Sequence, residues 1–219
     1  MIEIIEVQTK RQLKEFIKFP DKLYRGNKYR VPQMHIFERT SLSRAKNPAF
    51  DFCEARYWMA YKNGQLVGRI AGIINHKANE LWNDKAARFG WIDFIDDVEV
   101  SAALLKTVED WAIAKGLKKL QGPLGFTDMD LEGMLVEGFE ELSTQIAIYN
   151  YPYYPVHLEN FQYSKDVDWV QFEIEVPEKI PDKVQRVAEL IKQKYDLRVL
   201  HFKSSKDILP YVGKMFMTY

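Results

Sequence analysis

Apolar positions recur at two different periods along this chain, and the change of period divides it into elements. Ile2 to Val7 alternates as a strand, and Thr9 stands as an N-cap before Leu13, Phe16 and Ile17, which share one helical face that should end before Pro20. A second helical segment spans about Gln33 to Ala45. Two β-rich runs, 56–61 and 66–74, flank Asn63-Gly64, the residue pair that a type I′ turn demands, so they form a hairpin. Phe89 to Ile95 reads as a third strand of that sheet. Leu104, Leu105, Val108, Trp111 and Ala112 then recur at helical spacing, closed by Lys115-Gly116, and Leu117 to Gln121 follows as a strand. Strand, helix, strand with short connections makes a βαβ unit with two parallel strands.

Four glycines between Gly122 and Phe139 mark a long irregular connection. Beyond it the pattern predicts a strand at Gln145 to Tyr149, a short helix at Pro152 to Phe161, and an alternating strand at Asp168 to Val176. After Pro177 and Pro181 come a helix (Val184 to Lys194), a strand (Leu197 to Phe202) and a helix from about Ser204. Residues 1–176 therefore read as one α/β domain, and 177–219 as the start of a second α/β segment. The last helix shows no stop signal, which suggests a longer native chain.

Composition narrows the function classes. Of 219 residues, 47% are apolar, enough for a core, and 31 basic residues balance 31 acidic ones. A nucleic-acid binder ordinarily carries a basic surplus, so nucleic acid is not the expected partner. A single cysteine, Cys53, suits a reducing compartment and reads as a buried small apolar residue. No basic leader and no apolar run of membrane-spanning length is present, so the expectation is a cytoplasmic protein without a membrane partner. His35, His76, His157 and His201 are scattered, so no metal is expected.

Hairpin, strand, helix, strand, short helix, strand is also the order of the GNAT acyltransferase core. The stretches Phe19-Pro-Asp-Lys-Leu-Tyr24, Lys46-Asn-Pro-Ala-Phe50, Gly64-Gln-Leu-Val-Gly-Arg-Ile70, Gly133-Met-Leu-Val-Glu-Gly-Phe139 and Tyr149-Asn-Tyr-Pro-Tyr-Tyr154 resemble a bacterial GNAT-like branch. The resemblance implies a GNAT-like acyl-CoA N-acyltransferase fold, a mixed twisted sheet with helices on both faces. It also implies transfer of an acyl group from acetyl-CoA or another acyl-CoA to a small-molecule or peptide amine. The many aromatics permit a homodimer. The alternative function is a catalytically inactive binding or scaffolding module of the same shape.

By the same resemblance, the donor's diphosphate would meet backbone amides of Val98, Glu99, Val100, Ser101 and Ala102 at a helix start. Asp96 and Glu99 occupy positions where the family pattern has Arg or Gln and Gly, and with Asp97 they place three carboxylates at that corner. At about 4 Å and an effective dielectric near 20, each would oppose a phosphate by a few kcal/mol. The family's acid, a tyrosine, has Leu158 at its position here, which leaves Tyr154, one helical turn earlier, and Tyr153 as substitutes. Candidate bases are Asp93, Asp96 and Asp97, read as solvated strand-end carboxylates. Arg69, inside the hairpin, should point outward or pair with an acid.

Overall fold

A computed structural model describes residues 1–218. The chain forms two compact units, Met1–Trp169 and Val170–Tyr219. The first contains a five-stranded mixed sheet in the order β1 (Ile2–Glu6), β2 (Cys53–Lys62), β3 (Gln65–Asn75), β4 (Ala86–Phe94), β5 (Lys119–Gln121). Neighbours are antiparallel except β4 and β5, which are parallel. The hairpin forms as expected, with Asn63 at φ 52° and Gly64 at φ 74° supplying the turn.

Helices cover both faces. On one side Phe16 and Ile17 of α1 (Lys10–Leu23) pack on Tyr57, Met59, Ala71 and Ile73. On the other, Leu104, Val108 and Trp111 of α4 (Val98–Ala114) meet Trp58, Ile70, Ile74 and Phe89, joined by Tyr154 and Leu158 of α5 (Tyr153–Asn160). Odd and even residues of the hairpin divide between these cores, as a period of two requires, except beside the turn, where a register shift after Ala60 puts Val67 with the even residues. Gly68 and Gly72 lie beneath α4. A Cβ on Gly68 would stand 2.7 Å from Leu104 Cδ1, and one on Gly72 2.9 Å from the Trp111 ring. Their bareness lets the helix settle close to β3. Two shorter helices, α2 (His35–Ser41) and α3 (His76–Leu81), lie in the connections.

Two local irregularities shape the end of the sheet. The first is in β4. Ala71 pairs with Gly90 but Arg69 pairs with Asp93, so β4 carries one residue more than β3 between these points, a β-bulge marked by Trp91 at φ 44°. Ala87 and Phe89 face the α4 core before it, Ile92 and Phe94 after it. The extra residue thus reverses the parity of the strand and turns Asp93 to the α1 side, where Arg69 stands.

The second is Pro20. The sequence expectation ended the helix before it, whereas α1 runs on to Leu23. Proline has no N–H to give the carbonyl four residues earlier. That carbonyl, Phe16 O, instead accepts from Arg69 Nη1 at 3.0 Å. The helix survives because a side chain from the sheet takes the vacated bond.

Three predicted strands are absent. Gln145–Tyr149 and Leu197–Phe202 have no ladder, and neither has Asp168–Val176, where Trp169, Val170, Phe172, Ile174 and Val176 are all exposed. Alternation describes a strand only once a neighbour supplies hydrogen bonds and one face is covered. Helix α2 is shorter than the predicted 33–45 segment. In the second unit, α6 (Asp182–Lys194) and α7 (Val212–Thr218, preceded by a 3-10 stretch at Ser205–Tyr211) form as helices.

Candidate functional site

Beyond Arg88–Gln121 the parallel strands β4 and β5 stop pairing. The last residue of β4, Phe94, hands its backbone groups to two phenols instead. Its N–H donates to Tyr154 Oη at 3.0 Å, and its carbonyl accepts from Tyr153 Oη at 2.6 Å. The Phe94 ring stacks on that of Tyr154 at 4.2 Å between centroids. Helix α5 therefore closes the strand end with the hydroxyls of adjacent tyrosines.

A buried polar cluster surrounds this point. Tyr24 Oη lies 2.8 Å from Tyr154 Oη and donates to Asp93 Oδ1 at 3.0 Å, while Tyr154 Oη is 3.4 Å from the same oxygen. Arg69 Nε donates to Asp93 Oδ2 at 2.7 Å, and Arg69 Nη1 is 3.7 Å from Glu38, whose carboxylate also accepts from Trp91 Nε1. Tyr24 and Tyr154 are 4% and 1% exposed and Asp93 8%, so the carboxylate expected to be solvated is enclosed. Of the two expectations for Arg69, pairing with an acid is the one observed, and the side chain does not point outward. Desolvation by burial, reinforced by Asp93, raises both phenols well above their ordinary value of 10.0. They remain protonated across the physiological range. Tyr24 is also part of the wall of an open cleft of about 680 Å³, lined as well by Arg25, Arg30, Met34, His35 and Ile36.

These raised phenols give the unit an alkaline limit. The stability they contribute is complete well below pH 10, the midpoint at which tyrosine in the unfolded chain ionises, and it declines as pH rises through there toward the raised folded values. Denaturant midpoints should therefore fall more steeply above about pH 10 in the wild type than in Tyr24→Phe, which loses one such group.

The other sequence candidates lie elsewhere. The Asp96 side chain is 67% exposed and bonds His157 Nε2 at 3.0 Å, apart from the Asp93 cluster. His157 Nδ1 is 2.8 Å from Ser101 Oγ, so His157 ties α5 to the first turn of α4. Asp97 is the N-cap of α4. Its Oδ1 accepts from the Glu99 N–H at 3.0 Å, and its carbonyl accepts from the Val100 and Ser101 amides. Lys62 Nζ stands 2.5 Å from Asp97 and 3.1 Å from Glu99. The lysine bond holds the Asp97 carboxyl below its usual range. Val100 and Ser101 are fully buried, and the Ala102 amide lies inside the helix. Of the five proposed phosphate-binding residues, only Val98 is left with an amide that has no acceptor among the described residues. A glycine-type diphosphate cradle does not fit this corner as it stands.

Sequence spacing did not reveal Tyr24, Glu38 or His157 as site residues. Asp93 and Arg69 were visible, but without the partners that make them a cluster. Cys53 is buried, with its thiol pushed up to about 11 by desolvation. Among the described residues, no group of three metal-ligating side chains occurs.

No family model matches the chain. Protein YghO of Escherichia coli (strain K12) is 36% identical over 167 residues, covering 74% of this chain and 43% of that protein. The bacterial ceramide synthase of Caulobacter vibrioides is 27% identical over 186 residues, covering 84% of this chain and 48% of that one. This chain thus spans about half the length of the curated relatives it matches. Solved structures similar to it include a ribosomal-protein-alanine N-acetyltransferase from Brucella melitensis (17% identity, TM-score 0.45, covering 80% of this chain and 99% of that one). An aminoglycoside acetyltransferase from a soil metagenome is another (8%, TM-score 0.44, 80% and 97%). In this chain itself, four antiparallel strands lead through α4 to one parallel strand, the parallel pair ends at Arg88–Gln121, and α5 bonds Phe94 at the unpaired end of β4. The fold is GNAT-like. Within that GNAT-like sheet, the parting strands put Asp93, Tyr24 and Tyr154 at the end of β4, and no helix is long and apolar enough to cross a membrane among the described residues.

Proposed function

We propose that the 1–169 unit carries the chemistry of an acyl-CoA-dependent N-acyltransferase, with a long-chain amine as acceptor. The observation that carries this reading is the hydrogen-bonded series Asp93–Tyr24–Tyr154 at the end of β4, beyond its last pair with β5. An amine attacks the thioester carbon, forming the C–N bond. The tetrahedral adduct collapses with cleavage of the C–S bond. Asp93 accepts the proton that the nitrogen must lose, and Tyr154 gives its proton to the departing thiolate. Tyr24 lies between the two at 3.0 and 2.8 Å, so the proton gained by Asp93 can return through it to Tyr154, leaving both groups as they began. Burial keeps the Tyr154 phenol protonated at neutral pH, and because a thiolate is a weaker base than that phenolate, the transfer depends on the proton returning from Asp93 through Tyr24.

The acceptor class is supported by the name of one relative, a bacterial ceramide synthase, since a ceramide is an amide of a long-chain amine. Tyr153 keeps a supporting place: its hydroxyl is committed to the Phe94 carbonyl, which fixes α5 and hence Tyr154. Asp96, bound to His157, has the same kind of role for the start of α4. The donor's diphosphate is assigned no residue, because the amides of Glu99, Val100 and Ser101 already have acceptors.

The reading is tested by Tyr154→Phe, which preserves the stack on Phe94 and removes one hydroxyl. Amide formation from an acyl-CoA and a long-chain amine should slow by about a hundredfold in kcat, with KM nearly unchanged. That is the lower end of the usual range for a positioned acid, since a thiolate already leaves well. An unchanged kcat would remove Tyr154 from the mechanism.

A further inference from the structure

The balanced charge of the whole chain conceals a strong local separation. Residues 10–30 hold eight basic side chains against two acidic ones, a net of +6, so the remaining residues carry −6. Within this segment Lys10, Lys14, Lys18 and Lys22 recur every fourth residue of α1, and all four are exposed. They form one row about 18 Å long on the face opposite Phe16, Ile17 and Phe19, which are buried in the core.

An apolar edge adjoins the end of this row. Asp21, three residues after Lys18 and so on the same side of the helix, bonds His35 Nε2 at 2.7 Å and lies 3.6 Å from Arg30. That contact pins the first turn of α2 beside α1. Met34, Ile36 and Phe37 at this turn are 46%, 64% and 62% exposed. Between them and the C-terminal end of α1 opens the cleft whose wall includes Tyr24.

We infer that this face of the first unit docks on an anionic lipid surface. The lysine row supplies the electrostatic part of the attraction, and the three apolar side chains supply the part that enters the headgroup layer. Lysines suit the task because their stems can lie along the interface while their ammonium groups reach phosphates. Nucleic acid would use the row as well, but two of the three apolar side chains, Met34 and Ile36, offer no ring for a base to stack on. Peripheral docking replaces the expectation of no membrane partner and needs no spanning helix. The inference stands apart from the acyl-transfer reading, because binding is measured without turnover, but it would bring a membrane-dissolved amine to the mouth of the Tyr24 cleft.

The test is co-sedimentation of the full chain with vesicles of phosphatidylcholine alone and of phosphatidylcholine mixed with phosphatidylglycerol. Binding is expected only to the mixed vesicles. The combined variant Lys14→Gln, Lys18→Gln, Lys22→Gln should bind them about a hundredfold more weakly, at a factor of about five for each lysine lost. Ile36→Ser should weaken the fraction of binding that persists at high salt. All these positions are exposed, so an unchanged melting temperature serves as the folding control. Equal binding to neutral and anionic vesicles overturns the inference. So does a triple variant that binds as the wild type does, or tighter binding to single-stranded DNA or polyglutamate than to the mixed vesicles.

Discussion

Arg69→Met lowers the folding stability of the first unit by about 3–5 kcal/mol, the range found when one partner of a buried ion pair is removed. The side chain is 7% exposed and serves three acceptors at once: Asp93 at 2.7 Å, Glu38 at 3.7 Å and the Phe16 carbonyl at 3.0 Å. Methionine fills similar volume but leaves two enclosed carboxylates without their cation. It also leaves Phe16 O without a donor, because Pro20 has no N–H to offer. The loss is therefore expected toward the upper end of that range. Urea denaturation of Arg69→Met and of Arg69→Lys separates the contributions: lysine restores charge but not the simultaneous reach to three oxygens, and should recover only part of the loss. A loss within about 0.5 kcal/mol of zero would mean that the cluster is not an energetic unit.

Asp93→Asn should reduce amide formation by about 10²–10⁴-fold, the usual effect of removing a positioned base. Asparagine keeps the size of the side chain and can still accept from Tyr24, so the phenols stay in place. It cannot take a proton from the attacking nitrogen. Since Asn also weakens the bond from Arg69, the variant is compared at a temperature where both proteins are folded by circular dichroism. The loss should fall on kcat. A rise in KM with kcat intact would instead make Asp93 a residue that binds substrate without moving a proton.

Much of the scaffold was legible because it depends on neighbours in sequence. The Asn63-Gly64 turn, the helical spacing from Leu104 to Ala112 and the Gly116 stop, at φ 76°, each encode their own geometry within a few residues. The phenol helix was legible too, which brought Tyr153 and Tyr154 forward. The site was not, because its bonds join residues far apart: Tyr24 to Asp93 across 69 positions and Tyr24 to Tyr154 across 130. The direction of Asp93 depends on one extra residue at Trp91, and no alternation pattern reveals a bulge inside Phe89-Gly-Trp-Ile-Asp-Phe94. Pro20 read as a helix stop because the arginine that takes the freed carbonyl sits 49 residues later. The false strand at Asp168–Val176 shows the converse, a clear period with no neighbour to pair with. The three acids at the start of α4 looked like an obstacle to phosphate, whereas Asp97 caps its own helix and Lys62 bridges it to Glu99.

The central claim concerns where two protons go, and the stoichiometry of one reaction tests it most directly. The chain is mixed with an acyl-CoA and a long-chain amine, amide is followed by mass spectrometry, and free thiol by colorimetric titration. Equal amounts of amide and thiol should appear with the wild type, and both should fall together in Asp93→Asn. Thiol released without amide, or equal rates of amide formation in the wild type and Asp93→Asn, would contradict the account.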